Sequence, residues 1–226
     1  MHEHPRPPSR AVVVANGTIA DLAPLDPLLA GADLVVAADG GAQLLLLHGR
    51  RPHVVVGDVD SIPAPMLDAW RASGGETVVF PPAKDETDLE LALAYAAERG
   101  AARIAILGAL GGRVDHQTAN LLLLAAPAWR DLDVAILDAG TRIVAIHDAV
   151  DLEGQPGDLL SLLPLTASVD GIVTTGLEYP LQGESLVLGP ARGVSNVFVQ
   201  PRAGVRIGAG VLLSVHTWSD DRSLGW

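Results

Sequence analysis

Short runs of aliphatic and β-branched residues alternate with helix-forming stretches between residues 11 and 137. This alternation is typical of β-α-β units, whose parallel strands are apolar on both faces because helices cover both sides of the sheet. We therefore expect an α/β fold with a doubly wound, mostly parallel sheet and helices on both faces. Strands are predicted at residues 11–15, 34–38, 53–56, 77–80, 104–107 and 134–137.

Two helices have clear boundary signals. The first is predicted at residues 88–99, where Thr87 and Glu90 form a capping-box pattern at the start. The second is predicted at residues 114–124, which places Asp115 and His116 in its first turn. Both helices begin on the side of the sheet where the preceding strands end.

The pattern of apolar runs and turn residues changes after about residue 140. Short apolar runs at residues 159–163, 185–188, 196–199 and 211–216 are separated by Gly, Pro and Asp turns, and no helix is predicted there. This pattern indicates a small all-β domain. The expected organisation is a disordered Pro-rich tail at 1–10, an α/β domain at 11–140 and the all-β domain at 150–226.

Composition excludes several classes of protein. The formal net charge is -12 and no cluster of Lys and Arg occurs, which argues against a general nucleic-acid binder. The absence of cysteine removes disulfides, zinc–thiolate sites and thiol catalysis. The start lacks the apolar core of a signal peptide, and no apolar stretch approaches the ~20 residues that span a bilayer. We expect a cytoplasmic protein with neither nucleic-acid nor membrane partners.

Four polar segments each follow a predicted strand. Carboxyl ends of parallel strands meet at one edge of a sheet, so six aspartates, one lysine and one arginine are expected to converge there. Carboxylate oxygens suit Mg²⁺, while Lys and Arg cover phosphate charge. The sequence therefore predicts a site for Mg²⁺ and a polyphosphate. The segments are Ala-Asp-Gly-Gly-Ala at 38–42, Gly-Asp-Val-Asp-Ser at 57–61, Lys-Asp-Glu-Thr-Asp at 84–88 and Gly-Gly-Arg-Val-Asp-His at 111–116.

Individual residues in these segments suit different tasks. A cation would relieve the repulsion between the like charges of Asp58 and Asp60. Taken alone, these two residues are explained equally well by an Asp-rich turn whose side chains cap their own backbone. Asp88 is a third candidate metal ligand, although the helix dipole also favours Asp85 and Asp88 at a helix start. Arg113 follows two glycines and can hold two phosphate oxygens. Repetition of the pattern after four strands favours function.

Other familiar sites are not indicated. The chain has no Gly-x-x-x-x-Gly-Lys-Ser/Thr phosphate loop, and the first predicted strand leads into Asn16, Gly17 and Thr18 rather than a Gly-x-Gly-x-x-Gly motif. A P-loop enzyme and an NAD site are therefore not expected. The histidines lack metal-ligand spacing, and we interpret them as structural or surface residues. They include His48, His53, His147 and His216.

In this order the four segments resemble the motifs of the thiamine pyrophosphokinase family, and the similarity resumes at residues 193–196, Gly-Val-Ser-Asn. The resemblance implies an α/β domain followed by a β-sandwich, and a homodimer. It also implies transfer of diphosphate from ATP to the hydroxyethyl oxygen of thiamine, which gives thiamine diphosphate and AMP.

The resemblance further implies roles for individual residues. Asp58, Asp60 and Asp88 correspond to Mg²⁺ ligands, and Arg113 and Asp115 complete the catalytic set. Either Asp88 or Asp115 could accept the hydroxyl proton, and the sequence does not separate these two roles. The implied ATP and phosphate contacts are Asp39, Lys84, Asp85, Arg113 and His116.

The thiamine end of the site is also implied by the resemblance. Ser195 and Asn196 belong to the family's thiamine-binding segment, which in such dimers meets the α/β domain of the partner subunit. Trp218 and Trp226 are candidates for an aromatic wall against thiamine.

Three alternatives remain open at the level of sequence. A pyrophosphokinase acting on another alcohol, such as a hydroxymethylpterin, would keep the Mg²⁺ and ATP segments and differ at the acceptor. A two-metal hydrolase needs bridging carboxylates at ~4 Å metal separation, a distance that sequence does not give. A non-catalytic nucleotide-sensing module would be expected to lose one or more of the acidic segments, and all four are intact.

Overall fold

The structure, a computed structural model, describes residues 9–19 and 21–219. Most of the expected tail at 1–10 and the candidate Trp226 therefore lie outside the described residues. The described chain forms two compact units. The first contains residues 9–123 and 132–138, and the second contains residues 124–131 and 139–219.

Six strands of the first unit pair in parallel in the order β6-β5-β1-β2-β3-β4. The order reverses between β1 and β5, which opens a crevice at the carboxyl ends of these strands. The predicted doubly wound sheet is confirmed, and every predicted strand lies within one residue of its observed ends. The strands are β1 (Arg10–Val14), β2 (Leu34–Ala38), β3 (Val54–Gly57), β4 (Glu76–Val79), β5 (Arg103–Leu107) and β6 (Asp133–Asp138).

Burial within this sheet follows strand position. All residues of β2 and β3 are buried, as are all but the first of β1 and β5. The expectation that every strand is covered on both faces is wrong for β4, none of whose residues is buried. This difference arises because β4 ends the strand order and pairs only with β3.

Helix α4 (Asp88–Glu98) illustrates how a side-chain cap and a buried apolar stripe specify a helix. Thr87 Oγ1 accepts a hydrogen bond from the Glu90 backbone N–H at 3.2 Å, which caps the first turn as the sequence predicted. One stripe of α4 is buried and packs against β1, β2 and β3, whereas α5 has no buried residue. The helices are α1 (Asp26–Ala30), α2 (Gly41–Leu47), α3 (Ala64–Ala72), α4 (Asp88–Glu98) and α5 (Val114–Leu123).

The second unit contains two antiparallel sheets, with strand orders β12-β9-β14-β7 and β11-β10-β13-β8. The predicted all-β character is confirmed, but β7, β8, β10 and β13 were not predicted. In β10, for example, buried and exposed residues are interspersed, so it lacks a continuous apolar run. The strands are β7 (Thr141–Ile146), β8 (Ala149–Glu153), β9 (Leu159–Pro164), β10 (Ser168–Thr175), β11 (Gln182–Val187), β12 (Asn196–Val197), β13 (Arg202–Arg206) and β14 (Leu212–Thr217).

Within residues 9–19 and 21–219, no helix has the length and apolar character needed to cross a membrane.

Candidate active site

Loops after the parallel strands of the first unit line one cleft of about 480 Å³. The cleft brings together residues from all four polar segments, as expected from their common position at the carboxyl ends of strands. Asp85 and Asp115 are exposed and do not contribute to its lining. The predicted site residues that line the cleft are Asp39, Asp58, Asp60, Lys84, Asp88, Arg113 and His116.

The backbone is strained at three positions in the predicted motifs. Among the described residues, only Asp39 (φ 43°), Val59 (φ 59°) and Ser195 (φ 60°) combine a positive φ with a side chain. This region is unfavourable for residues other than glycine, above all for a β-branched residue such as Val59. Such strain persists only where the surroundings determine the conformation, and it concentrates at functional sites.

Three carboxylates meet in the cleft. Asp39, Asp58 and Asp60 each offer an oxygen that lies within 4.8 Å of the others. Burial raises the pKa of Asp39, and the charge of Asp88 raises it further, against the lowering effect of hydrogen bonds from Ser61 and Gly40. Close carboxylates repel one another, and a hard divalent cation relieves that repulsion. The residues present therefore fit a metal such as Mg²⁺.

Asp88 reaches the same place because residue 57 is glycine. Gly57 has a φ of 144°, and a Cβ atom there would stand 2.9 Å from Asp88 Oδ1 and 3.1 Å from Asp39 Cβ. The glycine of the second segment thus makes room for the side chains of Asp39 in the first segment and Asp88 in the third. All four candidate carboxylates consequently lie around one short stretch of backbone.

Lys84 supplies positive charge among these carboxylates. Its Nζ lies 3.1 Å from Asp88 Oδ1 and 3.5 Å from Asp58 Oδ2, and the side chain is 11% exposed. Burial lowers the pKa of Lys84, but the hydrogen bonds and charges of Asp88 and Asp58 outweigh it and raise that pKa overall. Lys84 is therefore an ammonium ion at neutral pH and can contact a phosphate.

Arg113 and Asp115 form a bidentate pair at the start of α5. The Nε–Oδ1 distance is 3.1 Å and the Nη2–Oδ2 distance is 2.6 Å. Hydrogen bonding to Arg113, followed by the backbone N–H of His116, lowers the pKa of Asp115 to about 2. Asp115 thus orients the guanidinium of Arg113, whose side chain is 72% exposed.

Two further side chains of α5 hold the loop that carries Arg113. Gln117 Oε1 accepts a hydrogen bond from the Gly111 N–H at 2.9 Å, and Asn120 Nδ2 donates to the Ala109 carbonyl at 2.9 Å. Sequence reasoning missed both residues. The sequence could have indicated them, because they lie one and two helical turns after Arg113 and such residues share a face of the helix.

Asn16 is another cleft residue that was not predicted from the sequence. It follows β1 at the edge of the sheet shared by the four segments and lines the cleft. A Cβ atom at Gly40 would stand 2.3 Å from its side chain, so the first segment needs a glycine at that position. The signal was its place directly after a predicted buried strand.

Ser195 and Asn196 lie in the second unit, beside strand β9. The Ser195 N–H donates to Ser161 Oγ at 3.1 Å. The Asn196 side chain accepts from the Tyr179 N–H at 3.1 Å and donates to the Tyr179 carbonyl at 2.7 Å. Trp218 is partly buried, with its ring centroid 4.9 Å from that of His216. Ser195 and Asn196 are therefore held by hydrogen bonds to other residues of the second unit.

A parallel α/β sheet whose crevice combines carboxylates with Lys and Arg is typical of phosphate-binding α/β enzymes. Two family models match this chain: "Thiamin pyrophosphokinase, catalytic domain" at residues 25–136 and "Thiamin pyrophosphokinase, vitamin B1 binding domain" at residues 147–212. The chain belongs to the thiamine pyrophosphokinase family. It is an ATP-dependent diphosphotransferase, and the alternatives of a different acceptor or a non-catalytic module are not favoured.

Similar proteins support this assignment. The thiamine pyrophosphokinase of Bacillus subtilis is 28% identical over 186 residues, covering 81% of this chain and 87% of that protein. Thiamine pyrophosphokinase 1 of Oryza sativa is 29% identical over 213 residues, covering 83% of this chain and 79% of the relative. The crystal structure from Bacillus subtilis has a TM-score of 0.81 at 27% identity and covers 93% of this chain and 100% of its own.

Proposed function

We propose that the cleft of the first unit binds ATP with Mg²⁺ and directs the hydroxyethyl oxygen of thiamine to the β-phosphorus, so that thiamine diphosphate and AMP are released. The observation that carries this proposal is that Asp39, Asp58 and Asp60 bring carboxylate oxygens within 4.8 Å of one another. The same cleft also contains Asp88, Lys84 and Arg113.

Asp58, Asp60 and Asp88 are the proposed Mg²⁺ ligands. Asp39 is the fourth carboxylate of the cleft, and it is buried beside the proposed ligands. When bound, the metal supplies positive charge that offsets the charge of the phosphate oxygens.

Lys84 and Arg113 are the proposed phosphate contacts. Lys84 presents a compact ammonium, whereas Arg113 presents a planar fork that Asp115 already orients. Charge in the transition state gathers on the β-phosphoryl oxygens and the departing bridging oxygen, so cations fixed beforehand stabilise it electrostatically. His116 lines the same cleft and is proposed as a further ATP contact.

We do not assign the role of proton acceptor to Asp115. A carboxylate with a pKa of about 2 is a weak base, and efficient general bases have pKa values near the working pH. Phosphoryl transfer also proceeds through a loose transition state in which the attacking hydroxyl needs little assistance. Asp115 is instead proposed to hold Arg113.

Ser195 and Asn196 are proposed to form part of the thiamine site. Both polar ends of the Asn196 amide are engaged with Tyr179, so Asn196 shapes the turn. Ser195, which is exposed and strained, then presents its hydroxyl to thiamine.

A homodimer is proposed as the working form. Its support is exposed apolar surface in each unit: Val114 is 78% and Leu122 is 55% exposed on α5, and Tyr179 is 64% exposed in the second unit. A second chain could cover these exposed apolar side chains. Light scattering coupled to size-exclusion chromatography should give the mass of two chains, and the mass of one chain would refute the dimer.

The test of the proposed reaction is an assay with thiamine, ATP and Mg²⁺ in which all products are separated. Equal amounts of thiamine diphosphate and AMP are expected. Formation of ADP and thiamine monophosphate would overturn the reaction type. Release of phosphate without an acceptor would favour a hydrolase, and transfer to a hydroxymethylpterin but not to thiamine would change the acceptor.

A further inference from the structure

A buried histidine–aspartate pair lies in the second unit. His216 Nε2 is 3.0 Å from Asp158 Oδ2, and the two side chains are 4% and 6% exposed. Asp158 Oδ2 also accepts a hydrogen bond from the Gln155 N–H at 2.8 Å. Groups of this kind are costly to bury, and their directional bonds can fix one arrangement of the surrounding chain.

The pair holds Phe198 both by its ring and by its backbone. The Phe198 ring stacks on the His216 imidazole with centroids 4.7 Å apart and an interplanar angle of 26°. The Phe198 N–H donates to the Asp158 carbonyl at 2.9 Å, and the Phe198 carbonyl accepts from the Gly157 N–H at 2.9 Å. Phe198 is therefore fixed from two directions by the residues of the pair and the adjoining turn.

Phe198 in turn follows the segment that contains Ser195 and Asn196. Asn196 lies opposite Leu160 in β9, and Leu160 lies opposite His216 in β14. Directly opposite residues share a face of a sheet, so Asn196 and His216 occupy the same row of three strands. Two residues after Asn196, Phe198 reaches His216, so the pair is connected to the segment through one side chain.

The turn before Asp158 is shaped around this arrangement. A Cβ atom at Gly154 would stand 2.8 Å from Phe198 Cε1 and 2.9 Å from Asp158 Oδ2. Any larger residue at position 154 would push against both. The glycine therefore permits the close approach of the turn, the carboxylate and the ring.

The segment needs such support because Ser195 has a φ of 60°. A residue in this conformation keeps it only when its neighbours determine it. Ser161 fixes the Ser195 N–H, and Tyr179 fixes the Asn196 side chain. The buried pair fixes the other end of the segment, at Phe198.

We propose that His216 and Asp158 are positioning residues for thiamine: through Phe198 they hold Ser195 and Asn196 in their binding geometry without touching the substrate. This inference rests on the proposed function, in which that segment binds thiamine. It predicts an effect on thiamine that is separate from any effect on ATP, because the ATP cleft is built from residues of the first unit.

The test compares His216→Leu with the hydrogen-bonding variant His216→Gln. His216→Leu should raise the KM for thiamine about tenfold or more, since small displacements of positioning groups are costly, while the KM for ATP stays within about twofold. His216→Gln should recover much of the loss. Val169→Ala, in the other sheet of the same unit, is the matched control for general destabilisation because Val169 is fully buried.

Equal rises in both KM values, or the same thiamine effect in Val169→Ala, would overturn the positioning role. If His216→Leu does not fold, Asp158→Asn replaces it. An unchanged KM for thiamine in the folded Asp158→Asn variant would also overturn the positioning role. Calorimetry separates the two proposals. Absence of thiamine binding by the unmodified protein refutes the proposed function, whereas equal binding by the unmodified protein and the variant refutes the positioning role alone.

Discussion

Lys84 and Asp88 form an ion pair in the cleft, with Nζ 3.1 Å from Oδ1. The same ammonium lies 3.5 Å from Asp58 Oδ2, so one positive charge stands between two proposed metal ligands. Lys84 is also the only lysine of the chain. Its charge can therefore be followed and altered without interference from another lysine side chain.

Replacing this lysine should separate metal binding from catalysis. Lys84→Met should lower kcat by about 10²–10³-fold because a charge that faces the transition state is lost. The affinity for Mn²⁺ without nucleotide should instead rise about fivefold, because a competing ammonium has gone. Electron paramagnetic resonance of free Mn²⁺ and steady-state kinetics give the two quantities.

Lys84→Arg is the control that keeps the charge. It should leave Mn²⁺ affinity near that of the unmodified protein and lose part of kcat, because the guanidinium differs in shape. A fall in Mn²⁺ affinity in Lys84→Met would contradict the position assigned to this charge.

Asp39 should lower stability at neutral pH. Its pKa is raised above the ordinary 3.8 by burial, so the folded state holds the proton more tightly than the unfolded state. The carboxyl therefore favours folding only while protonated, and that contribution is lost as pH rises through the raised pKa.

Asp39→Asn should thus stabilise the metal-free protein at pH 7, by about 2–4 °C in Tm for each kcal/mol gained. The gain should shrink as pH falls below the raised pKa and towards 3.8. Calorimetric scans in EDTA across this range measure it, with Asp68→Asn on the exposed face of α3 as the charge-matched control. A lower Tm at pH 7 would show that burial is not the controlling cause.

Asp115 should act through Arg113 and not as a base. Asp115→Asn weakens the bidentate pair, and kcat should fall about tenfold, less than the 10²–10⁴-fold typical of a lost general base. Because the pKa of Asp115 is about 2, the dependence of kcat on pH should keep its shape above about pH 5. Loss of an acidic limb from the pH profile would restore Asp115 as a proton acceptor.

The sequence predicted the first unit well because buried parallel strands are continuous apolar runs, as in β2 and β3. The site segments followed from that prediction, since each is placed by the strand before it. The burial of the edge strand β4 was overestimated because an apolar run does not reveal how many strands pair with it. In the second unit, half-buried strands such as β10 lack continuous apolar runs.

Other features depend on tertiary contacts that no local pattern contains. Gln117 and Asn120 matter because their side chains reach back to the preceding loop. His216 was interpreted as a structural or surface residue, since its partner Asp158 lies 58 residues away in the sequence. Local motifs therefore predicted which residues come together in the cleft, but not which residues hold them in place.

The most direct test of the account follows the β-phosphate of ATP. With ATP labelled at the β-phosphorus, the unmodified protein and the control Asp68→Asn should transfer the label to thiamine diphosphate and release unlabelled AMP. Asp60→Asn should remain folded and transfer no measurable label. Label recovered in ADP, or near-normal transfer by Asp60→Asn with Mg²⁺, would contradict diphosphate transfer at this carboxylate site.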